Sequence, residues 1–210
     1  IEITKSFLSS PTLSVLIRLF SGSCPFIIFL FIHEEIILIK RKRNIIFEYF
    51  NIMSLFNNTE NLENKIYYKI INISRNPFFF DTCNVSDDFE GRFEILVINF
   101  SIILWILRKK EENEILSQKL IDIFFEDMDA SLRELGVSDL SVGKKIKVLA
   151  ENFYGRLSNY TQSFDKISSL GNIELLKKSI RKNIATKSNP NKSFNAEKVS
   201  NYFCKVIKKF

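Results

Sequence analysis

Residues 89–108 read FEGRFEILVINFSIILWILR, and their phase decides the fold. Gly91, Ile95, Ile98, Ile102 and Trp105 recur at i, i+4, i+7, i+11 and i+14, the spacing of one helix face. From Phe93 to Leu107 the segment is apolar nearly all round. That pattern predicts a helix buried at the centre of a bundle, and one too short for a bilayer span, which needs roughly 20 apolar residues. Asp88 stands where an N-cap is expected, and Glu90 complements the helix dipole in the first turn.

Working outward, the same period of three to four continues on both sides. Leu62, Ile66, Ile70 and Ile73 predict a helix over about residues 60–74, ended at Arg75-Asn76 because Pro77 pushes its predecessor out of the α region. Residues 77–87, PFFFDTCNVSD, read as a loop whose aromatic cluster must tuck under another element. A third helix, about 112–134, places Ile121, Phe125, Met128, Leu132 and Leu135 on one face, with Gly136 as its left-handed terminator. Ser138 or Ser141 starts a fourth helix to about 165, with Ile146, Leu149, Phe153, Leu157, Tyr160 and Phe164 facing inward. A basic helix over 172–185, a polar linker from Thr186 to Lys192 and a last helix over about 194–209 complete the chain. No segment alternates at period two for more than a few residues. The expected fold is all-α, a single bundle of about six helices.

Composition agrees. The chain has 210 residues, 46% hydrophobic and 13% aromatic, so it can bury a core, while six glycines and four prolines are too few for a many-stranded sandwich or barrel. Thirty basic against twenty-four acidic residues give +6, an excess too mild to imply nucleic acid, and DNA is not expected as a partner. The single histidine, His33, excludes a Cys₂His₂ zinc site and leaves His-based catalysis with one poor candidate. Cys24, Cys83 and Cys204 are odd in number and far apart, which favours a reducing compartment.

Residues 1–52 differ from the rest. The first methionine is Met53, and an apolar stretch around Phe26–Ile32 is flanked by Arg18 and Glu34-Glu35 and broken by Pro25. It is short for a membrane span, and Glu34-Glu35 stands where a signal-peptide cleavage site would be. The expectation is a poorly packed extension that stays out of the core, either upstream translated sequence or a weak membrane-associated segment. The helical domain is then residues 53–210, and the natural start is expected at Met53.

Three constellations bear on chemistry. Asp122, Glu126, Asp129 and Arg133 fall on one stripe of the third helix, the spacing a carboxylate-bearing metal helix would show. No second carboxylate helix faces it in the sequence, and Asp129 four residues before Arg133 reads as helical ion-pair support. Dispersed lysine pairs such as Lys144-Lys145 and Lys177-Lys178 lack interleaved aromatics for stacking bases. Neither GxGxxG nor a P-loop is present. Metal, cofactor and catalytic residues are all expected to be absent. A ribosome- or RNA-binding adaptor stays open as an alternative, and a metal-dependent enzyme built on the carboxylate stripe as a weaker one.

Three blocks carry a family resemblance. Ser74-Arg75-Asn76-Pro77-Phe78-Phe79 ends the first helix, and Gly91-Arg92-Phe93-Glu94 opens the second. The third block comprises Phe125-Glu126-Asp127-Met128-Asp129, Leu132-Arg133-Glu134, Gly136-Val137, Asp139, Val142-Gly143-Lys144, Lys147, Phe153-Tyr154-Gly155-Arg156 and Tyr160. Their order and spacing over about residues 60–165 resemble the ubiquinol–cytochrome c chaperone family, assembly factors of respiratory complex III in alphaproteobacteria and mitochondria. The resemblance implies an all-helical, non-enzymatic chaperone for newly made cytochrome b. It also implies a second assembly factor and the ribosome exit region as partners, and a place in the bacterial cytoplasm, peripheral at the inner membrane, or on the matrix side in a mitochondrion. Without a usable histidine after Met53, the client would be the cytochrome apoprotein and not its haem. The resemblance marks as partner-binding Arg75, Pro77, Gly91, Arg92, Phe93, Glu94, Glu126, Asp127, Asp129, Arg133, Glu134, Asp139, Tyr154, Gly155 and Arg156.

Within that set, Gly155 points away from the Phe153 core stripe, where a helical glycine costs about 1 kcal/mol against alanine unless a backbone comes close. Two readings follow. Tyr154 and Arg156 face the client, or Arg156 pairs internally with Glu126, Asp127 or Asp129. The client-facing reading is the expectation taken forward.

Overall fold

Among the described residues, α1 spans Leu62–Ser74, and α2, Phe89–Leu107, is the one on which the others assemble. Asp88 caps it as expected, its Oδ1 accepting from the Gly91 amide at 2.7 Å while Ser86 donates to Oδ2 at 2.6 Å. Sixteen of its side-chain positions, from Gly91 to Leu107 with Arg92 excepted, are buried. The computed structural model describes Tyr49, Ile52, residues 61–184 and residues 194–210, all within the unit Ile45–Phe210. The described helices continue with α3, Glu114–Glu134; α4, Asp139–Leu170; α5, Glu174–Ile184; and α6, Ala196–Ile207. A π-helical turn spans Phe78–Thr82 and a 3₁₀ turn Glu111–Asn113, and no strand occurs among the described residues. The all-α reading stands.

Local chemistry sets the ends. Gly136 takes φ +83° after α3, the Gly136 amide donating to the Arg133 carbonyl at 2.9 Å and the Val137 amide to Leu132 at 3.0 Å. This is the Schellman arrangement that glycine permits without a Cβ penalty. Helix α4 runs to Leu170, further than the periodicity indicated, because Tyr160, Phe164 and Ile167 keep burying one face until Gly171 turns left-handed at φ +66°.

The core is aromatic. Phe124 sits against Phe153, Phe100 and Phe93 with ring centroids 4.9, 5.2 and 6.3 Å away, joining α3 to α4 and α2. The inward stripe of α3 is therefore Leu120, Phe124, Met128 and Leu132. Met128 and Leu132 are buried as expected, but Ile121 and Phe125 are only half-buried, each giving way to the residue before it, and Leu135 is exposed. Both neighbours at 124 and 125 are phenylalanine, so which one turns inward depends on the rings waiting there. On α4, Phe153, Tyr160 and Phe164 are buried as expected, with Ile146, Leu149 and Leu157 at the half-buried margin. The expected aromatic tuck under another element is found at the π turn. Phe78 and Phe79 lie against Tyr202, and Phe79 stacks on Phe203, all at 5.3–5.7 Å, pinning the turn under α6.

The extension does not end where expected. Tyr49 and Ile52 are 1% and 0% exposed and belong to the core, so the expectation that residues 1–52 stay outside it fails at these two positions. The Tyr49 hydroxyl donates to Asn99 Oδ1, and Asn99 Nδ2 donates to Ser74 Oγ at 3.0 Å and to the Ile95 carbonyl at 2.8 Å. A buried amide needs such partners, and here they tie Tyr49, α1 and α2 together. The rest of that segment, the Met53 start and the linker at 186–192 lie outside the described residues.

Candidate functional site

Two grooves flank the start of α2 and share Phe89, Phe93 and Leu135 as a common ridge. The first, about 550 Å³, runs between α2 and the first half of α4. Its walls are apolar (Phe89, Phe93, Leu132, Leu135, Val137, Val148 and Leu149), its floor carries Glu94, Asn152 and Arg156, and Lys144, Lys145 and Glu90 stand at its rim. The second, about 630 Å³, lies between α1, α2 and α3 and is lined among others by Arg75, Arg92, Asp127, Met128 and Glu134.

The floor of the first groove is an ion pair. Arg156 Nε donates to Glu94 Oε2 at 2.8 Å and Nη2 to Oε1 at 2.5 Å, a bidentate fork. Glu94 is 0% exposed and the Arg156 side chain 15%, with its guanidinium carbon 5.9 Å from the centre of the Phe93 ring. Below it, the Tyr160 hydroxyl accepts from Asn183 Nδ2 at 3.1 Å. Burial first, then the nearby Glu94 charge, pushes the Tyr160 phenol well above its ordinary range, so it stays neutral.

This corrects the expectation for Arg156. It pairs internally, and its partner is Glu94 on α2 rather than any carboxylate of α3. Glu94 is itself fully buried, so it supports the groove from beneath instead of meeting a client. Gly91 is also internal: a Cβ there would stand 1.9 Å from the Ser86 carbonyl oxygen, so the close approach that requires glycine is made by the chain's own loop.

The remaining expected residues divide. Phe93 is the shared wall, and Arg75, Arg92, Asp127 and Glu134 come together along the second groove. Arg92 is held by Asp87 at 2.7 Å, which keeps that carboxyl below its usual range, and Asp127 accepts from the buried Tyr67 hydroxyl at 2.8 Å. Asp129, Arg133 and Asp139 form an exposed triad in which Arg133 bridges α3 to the start of α4, 2.6 Å from Asp129. Pro77 and Glu126 are exposed and line neither groove. Tyr154 is 51% exposed beside Phe125, and a Cβ on Gly155 would meet nothing within 4 Å. These two face outward, as the sequence reading had them.

The carboxylate stripe of α3 does not converge. Asp122 accepts from Gln118 at 2.8 Å and Asp129 from Arg133, both within the helix, and among the described residues no group of three or more His, Cys, Asp or Glu side chains is placed to hold a metal. Sequence reasoning passed over Phe89, Lys145, Val148 and Leu149 as site residues. The available signal was Val148 recurring four residues after Lys144, at an outward phase on α4. Apolar walls over a compensated charge pair suit the capture of an apolar segment, with burial supplying affinity and the fixed polar groups setting register.

Comparisons with known proteins found a family and a solved structure. The family model described as "Ubiquinol-cytochrome C chaperone" matches residues 81–209, which takes in both walls of the first groove. The chain is also similar to the crystal structure of the Cbp3 homolog from Brucella abortus, at 25% identity and a TM-score of 0.57, over 88% of this chain and 89% of that one. No curated protein matches.

Proposed function

Because the chain belongs to the ubiquinol-cytochrome C chaperone family, we propose that it is a non-enzymatic assembly chaperone that holds newly made cytochrome b and supports assembly of ubiquinol–cytochrome c reductase. The observation that carries this reading is the first groove: an apolar channel walled by Phe89, Phe93, Leu135 and Val148 on the face covered by the family match. A hydrophobic helix of a membrane protein, waiting for its own partners, is the kind of segment such a channel shields from water. Tyr154 and Gly155 are exposed on α4 outside the groove lining, Tyr154 beside Phe125 of α3. The client is the apoprotein, and a second assembly factor and the ribosome exit region are further partners. No helix among the described residues is long and apolar enough to cross a membrane, and we place the protein peripherally, on the cytoplasmic side of the bacterial inner membrane or its mitochondrial counterpart.

The test is capture. The tagged full chain purified from its own cells should bring newly made cytochrome b with it, and deletion should lower complex III while other respiratory complexes keep their levels. Normal complex III in a clean deletion strain overturns the reading. A second reading, an RNA-binding adaptor, would show RNA affinity falling steeply with salt.

A further inference from the structure

At the end of the molecule where α3 turns into α4, apolar side chains stand in water beside lysines that no described ion pair takes up. Leu140 is 99% exposed, Leu135 62% and Val148 54%. Leu140, Lys144 and Val148 follow one another at four-residue intervals along α4 and so share a face, with exposed Lys147 beside them. Lys145, also exposed, stands at the groove rim with Lys144. No ion pair among the described residues takes up Lys144, Lys145 or Lys147. The acid next to Leu140, Asp139, is already held by Arg133, and the next carboxylate along the stripe is Glu151, while Glu90 shares the groove rim with Lys144 and Lys145 and exposed Glu134 precedes Leu135.

Leu140 lies outside the groove lining, on the first turn of α4, so a segment seated between α2 and α4 would leave it in water. A projecting leucine with three lysines following it on the same helix matches a surface with hydrocarbon beneath negative charge. We propose that this corner docks on an anionic lipid bilayer: Leu140 dips to the acyl boundary, Leu135 and Val148 rest at its shoulder, and Lys144, Lys145 and Lys147 lie against acidic head groups. The inference deepens the peripheral placement proposed above and rests on it. It sets the groove mouth at the membrane surface, where a membrane client would be handed over.

The experiment uses the full chain with vesicles of phosphatidylcholine plus phosphatidylglycerol, and of phosphatidylcholine alone. Binding should favour the anionic vesicles and weaken as salt screens the lysines. A lysine at an anionic surface accounts for about fivefold in partitioning, so Lys144→Gln, Lys145→Gln and Lys147→Gln together should lower it on the order of a hundredfold. Leu140→Ser should lower it about tenfold. To read this corner alone, a solvent-sensitive fluorophore on Leu140→Cys, in a Cys24→Ser background, should shift to the blue on anionic vesicles. The same probe on Leu170→Cys, exposed at the other end of α4, should not. An unchanged spectrum at position 140 overturns the proposal, as does a lysine variant that loses cytochrome b capture while keeping full vesicle binding. Client capture is read separately by co-purification, so this inference can fail while the chaperone reading stands.

Discussion

Arg156 reaches 62 positions back along the chain to close a two-point fork on Glu94, 2.8 Å at Nε and 2.5 Å at Nη2. The pair joins the middle of α4 to the start of α2 and forms the floor of the first groove. Its burial makes it a fixed point of the fold. Removing either partner leaves the other without its compensating charge, which is the costly way to break a buried pair.

Arg156→Ala should therefore cost about 3–5 kcal/mol, because it removes the guanidinium from a fully buried carboxylate. Replacing both, with Glu94→Leu and Arg156→Leu, should recover much of the loss. Urea midpoints of the two variants check this. A shift within about 0.5 kcal/mol for Arg156→Ala, the size of an ordinary surface change, would return the residue to a client-facing role.

Two helical glycines should respond with opposite sign. Gly91→Ala drives a Cβ to 1.9 Å from the Ser86 carbonyl oxygen, a backbone atom, so the loop or the start of α2 must move. The expected cost is about 1–3 kcal/mol or more. Gly155→Ala meets nothing within 4 Å and should gain up to about 1 kcal/mol from helix propensity. Thermal melts of both variants measure the contrast.

Tyr49→Phe should destabilise by about 1–3 kcal/mol, since the buried Asn99 Oδ1 loses its donor. A chain shortened to start at Met53 should lose more, because Ile52 and the Tyr49 ring leave the core as well. Equal denaturation midpoints for the full and shortened chains would contradict this.

Asp165 supplies a pH dependence. Partial burial raises its pKa, but hydrogen bonds from Arg108 and Trp105 and the charges of Arg108 and Lys109 outweigh that and hold the carboxyl below its usual range. Its folded pKa is thus the lower one. The stabilisation is complete above the unfolded value of about 4 and fades as pH falls through the folded value. Asp165→Asn keeps an acceptor for Trp105 Nε1, so the gap in urea midpoint between parent and variant should be full at neutral pH and close in strong acid. A gap independent of pH would assign Asp165 a purely neutral hydrogen-bonding role.

What the sequence determined by itself was local: helix positions and most of their ends. Asp88 caps α2, Gly136 stops α3 and Pro77 bars α1 from continuing because capping, left-handed φ and the missing amide act within a few residues of themselves. The same logic at Gly171 was there to be read for the end of α4. Of the residues the resemblance marked, Arg75, Arg92, Phe93, Glu94, Asp127, Glu134 and Arg156 line the grooves and the other eight do not. Tertiary structure alone decided which of Phe124 and Phe125 turns inward, since the answer depends on rings brought from α2 and α4. It also decided that Arg156 faces Glu94, that Gly91 serves the chain's own loop and that Tyr49 reaches Asn99. Those are contacts between distant segments, and side-chain periodicity carries the direction a residue faces on its own helix but not what the fold places opposite it.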